Sequence, residues 1–231
     1  MIPIRRIRSI CLFAWLAVPL AAEAAGLGRH PSGKKTDRAQ YARLCERFES
    51  GDTTLAPDQC GTVYYGFAAQ SRYNGSLGYG EVDAMTLIEQ QDKPQEAFAL
   101  CERILNKAPV SLQGHMMLLL AAGRAAIPPE QACRYAIRFD GLLDAVFRSG
   151  DGRSVRTAFR VLSVADEYVV MQALGVESVL SQSLVEEHYD RIEISGATGY
   201  EGDEIYFDVS LPMKHLDKVF GKNSRTVRHT A

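Results

Sequence analysis

Residues 94–132 read PQEAFALCERILNKAPVSLQGHMMLLLAAGRAAIPPEQA, and the spacing within this stretch decides the fold. Pro94-Gln95-Glu96 opens a helix, because proline suits a first turn, where its missing amide donor costs nothing. Ala97, Cys101, Ile104 and Ala108 then recur three or four residues apart and form one stripe. Pro109 ends that helix and Ser111 caps the next, whose inward side chains are expected at Leu112, Met116, Leu119 and Leu120. Pro129-Glu130-Gln131-Ala132 opens a third helix, and Ala97 and Ala132 stand 35 residues apart. Helices with one apolar stripe must bury it on a neighbour, so the pattern predicts a stack of helical hairpins.

Toward the N-terminus, Tyr41, Leu44, Cys45 and Phe48 share one helical face between Asp37 and Glu49, and Gly51 supplies a stop. Thr53 and Thr54 offer caps and Pro57 suits a first turn, predicting a helix from Pro57 to Arg72 with Val63, Tyr64, Phe67 and Ala68 inward. Asn74 to Gly80 is a turn-rich loop before a helix carrying Val82, Met85, Leu87 and Ile88. After Gly152 the pattern changes. Ala158 to Val164 reads as a strand, and Ser163-Val164-Ala165-Asp166 has capping-box spacing for a helix through Tyr168, Met171 and Leu174, ended by Gly175. Tyr189 to Ile194 and Ile205 to Val209 alternate, with a loop from Gly196 to Asp203 between them, which predicts a β-hairpin. A last helix carries Met213, Leu216 and Phe220. The fold class is therefore α+β and mainly helical: a helical repeat-like region over 37–152, then a small antiparallel sheet with one or two helices over 153–221, and a disordered tail at 222–231.

The chain begins with Arg5, Arg6 and Arg8, an apolar run from Ile10 to Leu20 and the small-residue pattern Ala22-Glu23-Ala24, the grammar of a cleaved signal peptide over 1–24. That run is shorter than the roughly 20 residues a membrane helix needs, and no other window of the mature chain comes near that length. Residues 25–36 form a Gly-, Pro- and Lys-rich leader. Within it, Gly28 to Lys34 imitates a phosphate loop, but Lys35 occupies the position where a Ser or Thr must hold magnesium. Export would place the protein in the periplasm or outside the cell. The 231 residues, 46% hydrophobic and 23% charged, suffice for a buried core, and 26 Lys+Arg against 28 Asp+Glu provide no basic field for nucleic acid. Four cysteines remain after cleavage, Cys45, Cys60, Cys101 and Cys133. An oxidising compartment favours disulfides, with Cys45–Cys60 and Cys101–Cys133 as the preferred pairing across hairpins, against the alternative of four separate buried thiols.

The 35-residue spacing lies close to the roughly 34 residues of a tetratricopeptide repeat, although the Trp-Leu-Gly-Tyr signature is missing. A wider likeness runs through Ser50-Gly51-Asp52-Thr53-Thr54-Leu55, Tyr64-Tyr65-Gly66, Arg138 to Ala145, Ser149-Gly150-Asp151-Gly152, Glu167-Tyr168 with Leu174-Gly175, and Tyr206-Phe207-Asp208-Val209. In these blocks, between about Asp37 and Gly221, the chain resembles the secreted bacterial family called domain of unknown function 4919. The resemblance implies an exported protein, helical and repeat-like in front with a small sheet behind, and it carries over no catalytic residues.

Motifs for chemistry are sparse. The sequence has no G-x-S-x-G elbow, no H-E-x-x-H and no EF-hand loop, so no catalytic residue, metal ligand set or cofactor is assigned, which weighs against an enzyme without deciding it. His115, beside Met116 and Met117, reads as a packed core histidine, and His188-Tyr189-Asp190 as a solvated strand end. The tripeptide Ser-Gly-Asp occurs at Ser50 to Asp52 and at Ser149 to Asp151. Glycine ending a helix and aspartate bonding the turn amides explain each copy locally. If the two turns converge, Asp52, Thr53 and Asp151 would instead surround a cation or polar ligand. Tyr65, Tyr73 and Tyr79 lie near the Gly-rich loop and are candidates to line a groove for a peptide or glycan. The leading reading is a non-enzymatic module of the cell envelope that binds a protein or peptide. The alternatives are a small-molecule or ion binder at the junction of the two halves, and an envelope hydrolase using Asp151, Asp166 and Glu167.

Overall fold

The computed structural model describes residues 38–75 and 80–226, with side chains as far as residue 218. The expected signal peptide and leader, Tyr79 and residues 227–231 lie outside the described residues. Helices α1 (Arg38–Glu49) and α2 (Pro57–Gly66) form the first pair. The second does not run on to Arg72 but tightens into a 3-10 turn at Phe67–Ala69, because Tyr73 is drawn into the core and donates its hydroxyl to the Leu162 carbonyl at 2.6 Å. Four helices follow: α3 (Glu81–Glu89), α4 (Pro94–Lys107), α5 (Leu112–Arg124) and α6 (Pro129–Phe147). Pro94 and Pro129 open α4 and α6, and the Ser111 hydroxyl accepts the Gly114 amide at 2.9 Å to cap α5, as the spacing predicts. Two inward faces differ from expectation. Val82 is 75% exposed while Glu81, Ala84 and Ile88 are buried in α3. In α5 only Leu112 of the expected stripe is buried; Met116, Leu119 and Leu120 are half-buried, and His115, Met117, Leu118 and Ala121 are buried instead, because that helix packs on α3, α4, α6 and α7 together. Helix α2 rests on α6, so the helices close on one another instead of stacking in a line.

The second part contains β1 (Phe159–Arg160), α7 (Val164–Ala173), β2 (Val176–Val185), β3 (Tyr189–Ala197), β4 (Glu204–Asp208) and α8 (Ser210–Thr226). The sheet order is β1-β4-β3-β2. The expected hairpin is β3 with β4, pairing Ile192 with Ile205. Strand β1 pairs parallel to β4, so the sheet is mixed and not purely antiparallel; β1 and β4 both lead into helices, α7 and α8, and run the same way. Ten-residue β2 extends the sheet past β3 and was not foreseen. Helix α8 reaches Thr226 and takes up residues 222–226 of the expected tail.

The larger hydrophobic core runs across Gly152, joining Leu44, Phe48, Tyr64 and Leu142 of the helices to Val170, Ile192, Ile205 and Phe207 of the second part. A smaller cluster fills α3, α4 and α5. All four cysteines are free thiols, so neither expected pairing is formed. Each sulfur has a different surrounding: Cys45 faces the Tyr41 hydroxyl, Cys60 packs on Gly141 of α6, Cys101 is buried and Cys133 exposed.

Candidate functional site

The unusual side chains converge on α7. Ser163 caps this helix by accepting the Asp166 amide at 3.2 Å, which places Asp166 and Glu167 in the first turn, where carboxylates meet the positive end of the helix dipole. Adjacent helical residues point about 100° apart, so the two carboxyls separate. Asp166 turns toward the helices. It accepts the Tyr64 hydroxyl at 2.7 Å, and burial pushes its pKa up to about 6.

Glu167 turns toward the sheet. Burial, reinforced by the Asp190 carboxylate beside it, pushes its pKa up to about 9, so it holds a proton at neutral pH, and its buried Oε1 has no hydrogen-bond partner among the described residues. Gln182 bridges the pair, its Nε2 donating to Asp190 Oδ2 at 2.7 Å and to Glu167 Oε2 at 3.4 Å, while its Oε1 accepts the Tyr168 hydroxyl at 3.2 Å. Asp190 is thus a buried member of a carboxyl pair and not a solvated strand end. The signal for this was in the sequence: Asp190, Ile192 and Ile194 share one strand face, and both isoleucines are core residues.

Above this pair the surface is apolar. Among the described residues strand β2 pairs with β3 alone and forms one edge of the sheet, and it exposes Leu180 (64%) and Leu184 (53%) on either side of Gln182. Tyr168 on α7 is exposed as well, whereas exposed Val164, one helical turn earlier, lines the junction between the two parts. The hydroxyl of Tyr168 reaching Gln182 makes this one continuous patch.

A cavity of about 80 Å³ lies where the two parts meet, lined by Tyr73, Glu81, Ser111, Leu162, Ser163 and Asp166 among others. That volume holds two or three waters at about 30 Å³ each, well below the roughly 300 Å³ at which drug-sized ligands fit.

The two Ser-Gly-Asp turns do not converge. Gly51 packs on Arg134 near the start of α6, whereas Ser149 follows its end at Phe147; the helical rise of 1.5 Å per residue from Arg134 to Phe147 separates the turns by about 20 Å. Asp52 accepts the amide and hydroxyl of Thr54 and an ion pair from Arg47, which hold its carboxyl well below the usual range, with Thr53 exposed alongside. Asp151 accepts the Arg153 amide of its own turn. Asp151, Asp166 and Glu167 therefore do not form one catalytic group. Tyr65 donates its hydroxyl toward the carbonyls of Ala145 and Arg160 and ties α6 to β1. Tyr73 is a core residue that lines the small cavity. His115 is buried, with Nε2 on the Pro109 carbonyl at 2.9 Å, and burial pushes its pKa down to about 4. Among the described residues no cluster of three or more His, Cys, Asp or Glu is arranged to hold a metal, and no helix is long and apolar enough to cross a membrane.

No curated protein and no solved structure matches the chain. The model of the family described as domain of unknown function (DUF4919) matches residues 34–218, which covers every element from α1 to the first half of α8. The chain belongs to this family.

Proposed function

We propose that the protein is an exported, non-enzymatic interaction module of the bacterial cell envelope, which takes an extended strand of a protein or peptide along the free edge of β2. The observation that carries this reading is the pairing of an open strand edge with exposed Leu180 and Leu184. Natural edges of this length are usually blunted by charge or proline; β2 contains no proline, and its single charge is Glu177 near one end. An added strand would satisfy the open backbone groups while its alternate side chains cover the leucines. The non-enzymatic part is supported by the buried carboxyls, whose partners lie within the fold. Export is supported by the charge and hydropathy of residues 1–24.

A photo-crosslinking side chain placed at Leu184 in the native envelope tests the reading. Protein adducts are expected there and not from exposed Arg43 on α1. Equal labelling at the two positions, or none at Leu184, would count against the edge.

A further inference from the structure

We propose that the strand docked on β2 is β2 of a second copy of this chain, paired antiparallel about a two-fold axis at Gln182. This rests on the reading of β2 as a docking edge and names its occupant. Residues 179–185 read VLSQSLV, a palindrome centred on Gln182. When two identical strands pair antiparallel across a two-fold axis, positions equally far before and after the central residue face each other. About Gln182 this sets Val179 against Val185, Leu180 against Leu184, Ser181 against Ser183, and Gln182 against its own copy. Every pair matches like with like. Centring the pair one residue earlier would oppose Leu180 to Gln182 and Leu184 to Ser178, losing that match.

The exposed groups fit this register. Gln182 and Leu184 share one side by strand alternation, and Leu180, at the irregularity, is exposed at the matching distance before Gln182, so two leucine pairs flank the central glutamine pair and cover the side chains now in solvent. The opposite side carries Ser181 and Ser183, and β2 already pairs serine with serine inside the chain, Ser178 with Ser195 at 2.6 Å. Glu177 and Glu187 lie beyond the paired stretch. The irregularity between Val179 and Ser181 in the pairing with β3 limits the new ladder to Leu180 through Leu184. Two sheets of four strands would become one of eight, whose remaining edges are the two-residue β1 strands, and short edges resist further pairing. The axis stands perpendicular to the sheet, so both α7 helices lie on one face with Tyr168 beside the seam.

Sedimentation of the protein purified from expressing cells, over a concentration series up to about 100 μM, tests this directly. The expected result is a doubled mass that Leu184→Lys returns to a single mass with unchanged circular dichroism. In parallel, Gln182→Cys should give a disulfide-linked dimer under mild oxidation, because opposed positions of an antiparallel pair lie about 4.5–5.5 Å apart, within reach of a disulfide. Arg43→Cys should not. If Leu184→Lys does not fold, the cross-link at position 182 decides. A single mass throughout, with adducts to another protein still forming at Leu184, overturns the second copy and leaves the docking edge standing. A single mass with no adducts overturns both. A dimer that Leu184→Lys leaves intact and that does not cross-link through position 182 is built elsewhere and also overturns the proposal.

Discussion

Asp166 and Glu167 are neighbours in the chain and opposites in the structure, one fastening α7 to Tyr64, the other buried against the sheet, where Gln182 bridges it to Asp190. The first was partly legible, since Ser163 and Asp166 have the spacing of a helix cap. The partners were not, because Tyr64 lies 102 residues from Asp166 in sequence and only packing brings them together. The three buried groups set a pH dependence. An acid whose pKa is raised on folding binds its proton more tightly in the native state, so stability falls as pH rises between the two values; a histidine whose pKa is lowered has the opposite effect. His115, down to about 4, and Asp166, up to about 6, oppose each other below pH 6.5. Above that pH only Glu167, up to about 9, is still titrating among the three. Stability should therefore fall between about pH 6.5 and 8 by at most about 1.4 kcal/mol per pH unit, or about 2 kcal/mol in all. Glu167→Gln, which keeps the shape of the side chain and removes its titrating proton, should flatten that slope in urea titrations at the two pH values. A slope unchanged in the variant would contradict a Glu167 that is protonated at neutral pH.

At the scale of elements, the helices announce themselves and one strand does not. Pro94, Pro129 and the Ser111 cap mark boundaries through local backbone chemistry, which tertiary structure left intact. Strand β2 puts serine, glutamine and leucine in solvent on an edge, so no hydrophobic alternation marks it; of its ten residues only Val176 is buried. Its turn into β3 is equally silent. Glu186 and Glu187 adopt left-handed backbone with φ of 46° and 67°, a conformation that Gly or Asn usually signals. Glu187→Gly should relieve that strain and stabilise the hairpin by about 0.5–1 kcal/mol, read as a rise in melting temperature. A fall would mean that the Glu187 side chain contributes more than its backbone costs. The expected disulfides failed at this scale too, since a hairpin brings helices together without aiming particular side chains: Cys60 faces Gly141 on α6 and not Cys45 on α1.

Over the whole molecule, the family likeness and the mainly helical α+β class hold, while the division at Gly152 marks a change of pattern and not a break in the core. The long helix α6 is the reason: it carries α2 on one flank and reaches β1 at its end, so helical and sheet parts share one interior. The candidate surface lies on the outside of that interior, where nothing in hydrophobic periodicity could point to it, and its central feature is an unpaired edge. Amide hydrogen exchange along β2 therefore distinguishes an open edge from a covered one. In dilute purified protein, outward-facing amides of Val179–Val185 should exchange quickly while those of β3 and β4 stay protected; in the native envelope fraction β2 should gain strong protection and the far side of the molecule none. Exchange in β2 that is the same in both preparations would contradict the claim that this edge is where the protein meets its partner.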